Sequence, residues 1–181
     1  MQNTFKLLGY VGLFALAATA SAHVVLEDQA ALAGKSYKAV FRVGHSCPNA
    51  STTGIAVRLP MGFQGAKPMP KAGWNLETRM APLAEPYNSH GKTITEDVVE
   101  VQWTVKNAAD ALPDAWYDEF VLRGTLPQKP GALWFKVLQT CTQGQLDWAE
   151  IPPSGTSTKG LKAPAALLEV LPSGSQQEHS H

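Results

Sequence analysis

The residue best equipped for chemistry in this sequence is a histidine that export would turn into a chain terminus. Residues 1–22 carry the parts of a secretory signal: Lys6 as the positive n-region, an almost wholly apolar run from Leu7 to Ala18, and the small-x-small triplet Ala20-Ser21-Ala22. Cleavage after Ala22 leaves His23 with a free α-amine. That amine and the imidazole Nδ1 can close a chelate ring on one metal ion. Copper(II) favours tetragonal nitrogen and oxygen sites and stands at the top of the divalent affinity order. A cut two residues earlier, after Ala20, would abolish the chelate, and histidine also follows some signals by chance.

Two cysteines offer a second chemistry. Cys47 and Cys141 are an even pair in a chain expected to enter an oxidising compartment, which predicts a disulfide. The rival reading makes one of them a thiolate copper ligand. Such sites commonly cluster Cys, His and Met in a short loop, whereas the nearest histidines on either side of Cys141 are His90 and His179.

Length and charge set the frame for both. Removal of the signal leaves 159 of the 181 residues, enough for one domain with a sizeable core. The whole chain balances 15 Lys+Arg against 15 Asp+Glu, so no basic field attracts nucleic acid or anionic lipid. No apolar stretch after the signal is long enough to cross a bilayer. The expected product is soluble, periplasmic or secreted.

The elements that must hold these residues read as strands. Tyr37, Ala39, Phe41 and Val43 alternate with Lys38, Val40 and Arg42, and Ile55, Val57 and Leu59 with Ala56 and Arg58. Val99–Val105 and Leu133–Val137 repeat the pattern. Short strands are expected at His23–Glu27, Trp74–Met80, Phe120–Thr125, Leu146–Ile151 and Leu167–Leu171. Turn signals such as Pro60-Met61-Gly62, His90-Gly91 and Gln143-Gly144 separate them. No segment sustains a helical period, although Ala108–Leu112 could form one turn. About nine short strands, with a bridge between distant ones, predict an all-β, immunoglobulin-like β-sandwich. Pro152–Pro164 reads as a long loop and residues 173–181 as a disordered polar tail.

The order of motifs resembles the YcnI-like family of exported copper-binding domains. The resemblance runs from His23-Val24-Val25-Leu26 through Gly44-His45-Ser46-Cys47, Val57-Arg58-Leu59-Pro60 and Lys67-Pro68-Met69-Pro70-Lys71-Ala72-Gly73-Trp74. It continues through Pro86-Tyr87-Asn88-Ser89-His90-Gly91, Tyr117-Asp118-Glu119-Phe120 and Trp148-Ala149-Glu150-Ile151-Pro152, and covers residues 23–172. It implies an immunoglobulin-like sandwich holding one exposed Cu(II). His23 would bind through amine and imidazole, Glu119 would supply a carboxylate, and Trp148 would lie close by.

Each carried-over residue also has a plainer reading. Asp118 competes with Glu119. If Phe120 and Leu122 point into the core, Glu119 shares the opposite face with Val121 and Arg123, where it could meet an exposed metal or simply pair with Arg123. Trp148 could be packing only, and Trp74, Trp103, Trp116 and Trp134 are assigned mainly to packing. His45 reads as a loop residue beside a cysteine, His90 as a solvated turn, and His179 with His181 as a sparse metal-catching tail.

The resulting expectation is an exported Cu(II)-binding carrier, chaperone or buffer, exchanging its ion with a copper-donating or copper-accepting periplasmic protein. The alternatives are an oxidative copper enzyme, needing a second histidine for a three-nitrogen brace, and a metal-free adhesion or assembly module. No nucleophile–base arrangement supports hydrolysis.

Overall fold

Along Ser36–Val43 the odd-numbered residues Tyr37, Ala39, Phe41 and Val43 are buried, and the lysine and arginine between them are exposed. One face therefore lies in the core, as a strand in a two-layer sandwich requires, while the opposite face is exposed at Lys38 and Arg42 and covered at Val40. The same logic, repeated, builds the domain. The computed structural model describes residues 23–45 and 47–173. The expected signal at 1–22 and nearly all of the expected tail, with His179 and His181, lie outside those residues.

The strands are β1 (Val25–Leu26), β2 (Ala30–Leu32), β3 (Ser36–Val43), β4 (Thr52–Arg58), β5 (Gln64–Pro68) and β6 (Trp74–Ser89), followed by β7 (Lys92–Val105), β8 (Asp118–Thr125), β9 (Gly131–Cys141), β10 (Gln145–Trp148) and β11 (Ala166–Leu171). One sheet has the order β1-β3-β8-β5. The other runs β2-β11-β9-β4-β7-β6, with β10 also paired to β9. All pairs are antiparallel except β11 with β2. The expected turn near Ala108 is a short 3-10 helix over Ala108–Asp110.

Aromatic side chains join the two sheets. Phe41 on β3 and Phe63 both meet Phe135 on β9 edge-on, at 5.5 and 5.3 Å between ring centroids. Trp74 and Trp103 pack against Phe120 in the same manner. Each such burial contributes about 1.5–3 kcal/mol, and the tilted ring pairs somewhat more. Gly124 on β8 is required here, because a Cβ would come within 2.4 Å of the Phe63 ring.

Three expectations need correction. Eleven strands form rather than about nine, the additional ones being β2 and β5. β6 and β7 are far longer than expected and turn at His90-Gly91, where both residues have positive φ (48° and 75°) as a tight hairpin needs. Trp116 is 66% exposed rather than packed, while Trp74 and Trp103 are core residues and Trp134 is half-buried. No helix among the described residues is long and apolar enough to cross a membrane.

Candidate metal centre

β1 is only two residues long, yet its start is well anchored. Val24 and Leu26 are buried in the core, and Val25 pairs with Arg42 on β3. His23 therefore emerges half-exposed at the rim of the sandwich. Its imidazole meets the indole of Trp148, the last residue of β10, edge-on, with centroids 5.5 Å apart and planes inclined at 66°. Beside His23 opens a cleft of about 210 Å³, bordered by Val25, Gln29, Thr156, Thr158 and Ala166.

Trp148 is itself fixed from behind. Its Nε1 donates to Oε1 of Gln139 at 3.0 Å, and Gln139 is completely buried on β9. The Gln139 Nε2 donates to Thr52 Oγ1 at 2.7 Å and to the His45 carbonyl at 2.8 Å. This amide is a fully satisfied buried polar group, which rigidifies rather than destabilises the core. It ties β4, β9, β10 and the loop after β3 to one point. Sequence reasoning missed Gln139, although parity signalled it: it continues the inward row Leu133, Phe135, Val137.

Glu119 stands elsewhere. Val25, Arg42 and Glu119 lie in one cross-strand row over β1, β3 and β8. Two strand spacings, roughly 10 Å, therefore separate the Glu119 backbone from β1, and His23 lies two residues farther along. The parity argument for its face holds, since Phe120 and Leu122 are buried. The Glu119 carboxylate accepts a hydrogen bond from the Tyr117 hydroxyl, which in turn accepts one from Arg42 Nε at 3.2 Å. Partial burial and this bond to Glu119 raise the Tyr117 pKa. Glu119 borders a shallow depression with Met69, Lys71, Tyr117, Asp118 and Val121, none of which lines the His23 cleft. Asp118 is engaged by Lys71 Nζ at 2.6 Å. The structure thus brings His23 and Trp148 together and leaves Glu119 apart from them.

Cys47 and Cys141 are joined as a disulfide, closing the loop that carries His45 onto the end of β9 and leaving no thiolate for a metal. His45 is exposed, with Nδ1 3.7 Å from Asp114 Oδ1. His90 sits at the far tip of the β6–β7 hairpin. Among the described residues no three His, Cys, Asp or Glu side chains converge on one point. A terminal amine–imidazole chelate needs no such cluster, because one residue supplies both nitrogens. His23, half-exposed beside a cleft and flanked by an indole, is chemically suited to hold Cu(II) in this way.

Comparison with proteins of curated function yields no match. Among solved structures, a protein from Nocardia farcinica with an immunoglobulin-like fold is 24% identical. It aligns over 83% of this chain and 99% of its own, with a TM-score of 0.63. A cohesin–dockerin complex of Clostridium thermocellum aligns at 10% identity over 82% of this chain and 98% of its own, with a TM-score of 0.39. The first likeness establishes the sandwich as immunoglobulin-like. A family described as a domain of unknown function, DUF1775, matches residues 23–170, beginning at His23 itself. The chain therefore belongs to the YcnI-like family, DUF1775.

Proposed function

We propose that this protein is an exported Cu(II) carrier whose cargo is held by the α-amine and Nδ1 of a processed terminal His23. The observation that carries the proposal is the edge-on contact of His23 with a Trp148 whose indole is clamped by a buried amide. That arrangement shelters one side of the terminal imidazole, which stands beside the cleft. The disulfide fits export to an oxidising compartment, periplasmic or extracellular. A chelate with few protein ligands keeps coordination positions open, so the ion passes to an acceptor protein by ligand exchange without catalysis. Glu119, implied by the family resemblance, is not included in the ligand set, because its carboxylate is held by Tyr117 in a separate depression.

N-terminal mass analysis of the exported protein, combined with calorimetric Cu(II) titration, tests this reading. The expected result is a chain starting at His23 that binds one equivalent of Cu(II). A chain starting at His23 with no stoichiometric binding refutes it.

A further inference from the structure

We propose that the free edge of β6 over residues 75–80 pairs with the same edge of a second copy of this chain, antiparallel about a twofold axis at Thr78. The proposal does not depend on the His23 reading. β6 ends its sheet, and no strand among the described residues pairs with its outer side. Such an edge is a template for another strand unless something blunts it. The other edges are blunted. β1 and β2 have only two and three residues, β10 has four, and β5 carries Gly65, Lys67 and Pro68 with a shifted register. The far half of β6 is interrupted by Pro82 and Pro86. Residues 75–80 contain no proline, glycine or lysine, and the irregularity between Arg79 and Met80 puts its extra residue, Val99, on β7.

The backbone of this stretch is turned the right way. Gly73 stands opposite Lys106, one step before the pair Trp74 and Val105, and its carbonyl accepts from Lys106 N at 2.8 Å. Alternation then directs the backbone groups of Asn75, Glu77 and Arg79 to β7 and those of Leu76, Thr78 and Met80 outward. The bond from Leu59 N to Val99 O at 2.9 Å agrees, since it turns Val99, Val101 and Trp103 toward β4 and leaves Gln102 and Thr104 for β6.

Side chains select the occupant. With the axis at Thr78, the outward-facing backbones of Leu76 and Met80 meet reciprocally, on the face that Leu76 shares with Trp103. Met80, 55% exposed on one chain, is covered by Leu76 of the second copy. On the opposite face Glu77 meets Arg79 of the second copy, and Arg79 meets its Glu77. Moving the axis to Glu77 or to Arg79 sets like charges face to face, which is unfavourable across strands. The charges therefore choose one register and one partner: an identical edge. The His23 cleft borders Ala166 of β11, toward the other end of this sheet, so pairing at β6 leaves it open.

Analytical ultracentrifugation of the processed protein tests the proposal. The wild type should form a dimer whose share grows with concentration. Glu77→Arg and Arg79→Glu each set like charges in both cross-strand pairs, so each should dimerise about tenfold more weakly. Both side chains are exposed, so the fold is retained. An equimolar mixture of the two variants restores Arg against Glu in both pairs and should associate within about threefold of wild type. A defect in folding could not be repaired by mixing. A wild type that stays monomeric up to about 1 mM overturns the inference and leaves the edge to a strand of another protein. Single variants that dimerise like wild type, or a mixture no tighter than its components, overturn it as well.

Discussion

The indole of Trp148 stands edge-on against the imidazole of His23, 5.5 Å away, with its N–H committed to Gln139 rather than to solvent. A paramagnetic ion chelated by His23 would sit close to this one tryptophan among five. Cu(II) should therefore quench only part of the intrinsic fluorescence, and Trp148→Phe should remove most of that quenching while changing affinity by no more than a few-fold. Equal quenching in wild type and variant would place the ion elsewhere.

The chelate itself depends on a free terminus. His23→Ala, or a form retaining even one residue ahead of His23, should lose at least a hundredfold in Cu(II) affinity by calorimetry. α-Amines and imidazoles ordinarily bind protons near pH 7.7–8.0 and 6.5. Protons thus compete for both nitrogens, and affinity should fall as pH is lowered. A flat profile between pH 5 and 8 would rule the chelate out.

Glu119→Gln separates the geometry described above from the ligand set that the family resemblance implies. The Tyr117 hydroxyl still finds an oxygen acceptor in glutamine, so the fold is retained. Cu(II) affinity should stay within twofold of wild type. A tenfold loss would return Glu119 to the site.

Replacing both Cys47 and Cys141 by alanine opens a loop with a sequence separation of 94. By loop entropy the cost is about 4–5 kcal/mol, read as a lower midpoint in chemical denaturation.

All the tyrosines beyond the expected signal, Tyr37, Tyr87 and Tyr117, have raised pKa values. For Tyr87, burial and then the hydrogen bond to Asp97 push it up to about 12. A phenol whose pKa is higher folded than unfolded gives stability that is fully present below pH 10 and is lost as pH rises toward the folded value. Tyrosinate absorbance of the processed protein should lag behind that of free tyrosine and then rise together with alkaline unfolding. Tyr87→Phe should remove one phenol from that late step.

Much of this was legible in the alternation of the sequence. Tyr37 to Val43 and Val99 to Val105 fix a face by parity, and parity also set Glu119 opposite Phe120 and Leu122. β2 and β5 escaped because Ala30–Leu32 is too short to show a period and Gln64–Pro68 holds glycine, lysine and proline. Beyond Pro82, β6 arches over four residues, Leu83 to Pro86, which no period of two describes. The contact of Trp148 with His23 joins residues from two different sheets, and local pattern carries no signal for such a meeting. The pairing of His45 with Asp114 was hidden for the same reason.

β1 has a consequence for how cargo would leave. The strand is a hook: Val24 and Leu26 are driven into the core as its shank, and His23 is the barb outside. Rotation about the bonds of that one residue would leave the buried Val24 and Leu26 in place. Under the proposed carrier role, unloading would thereby be uncoupled from unfolding.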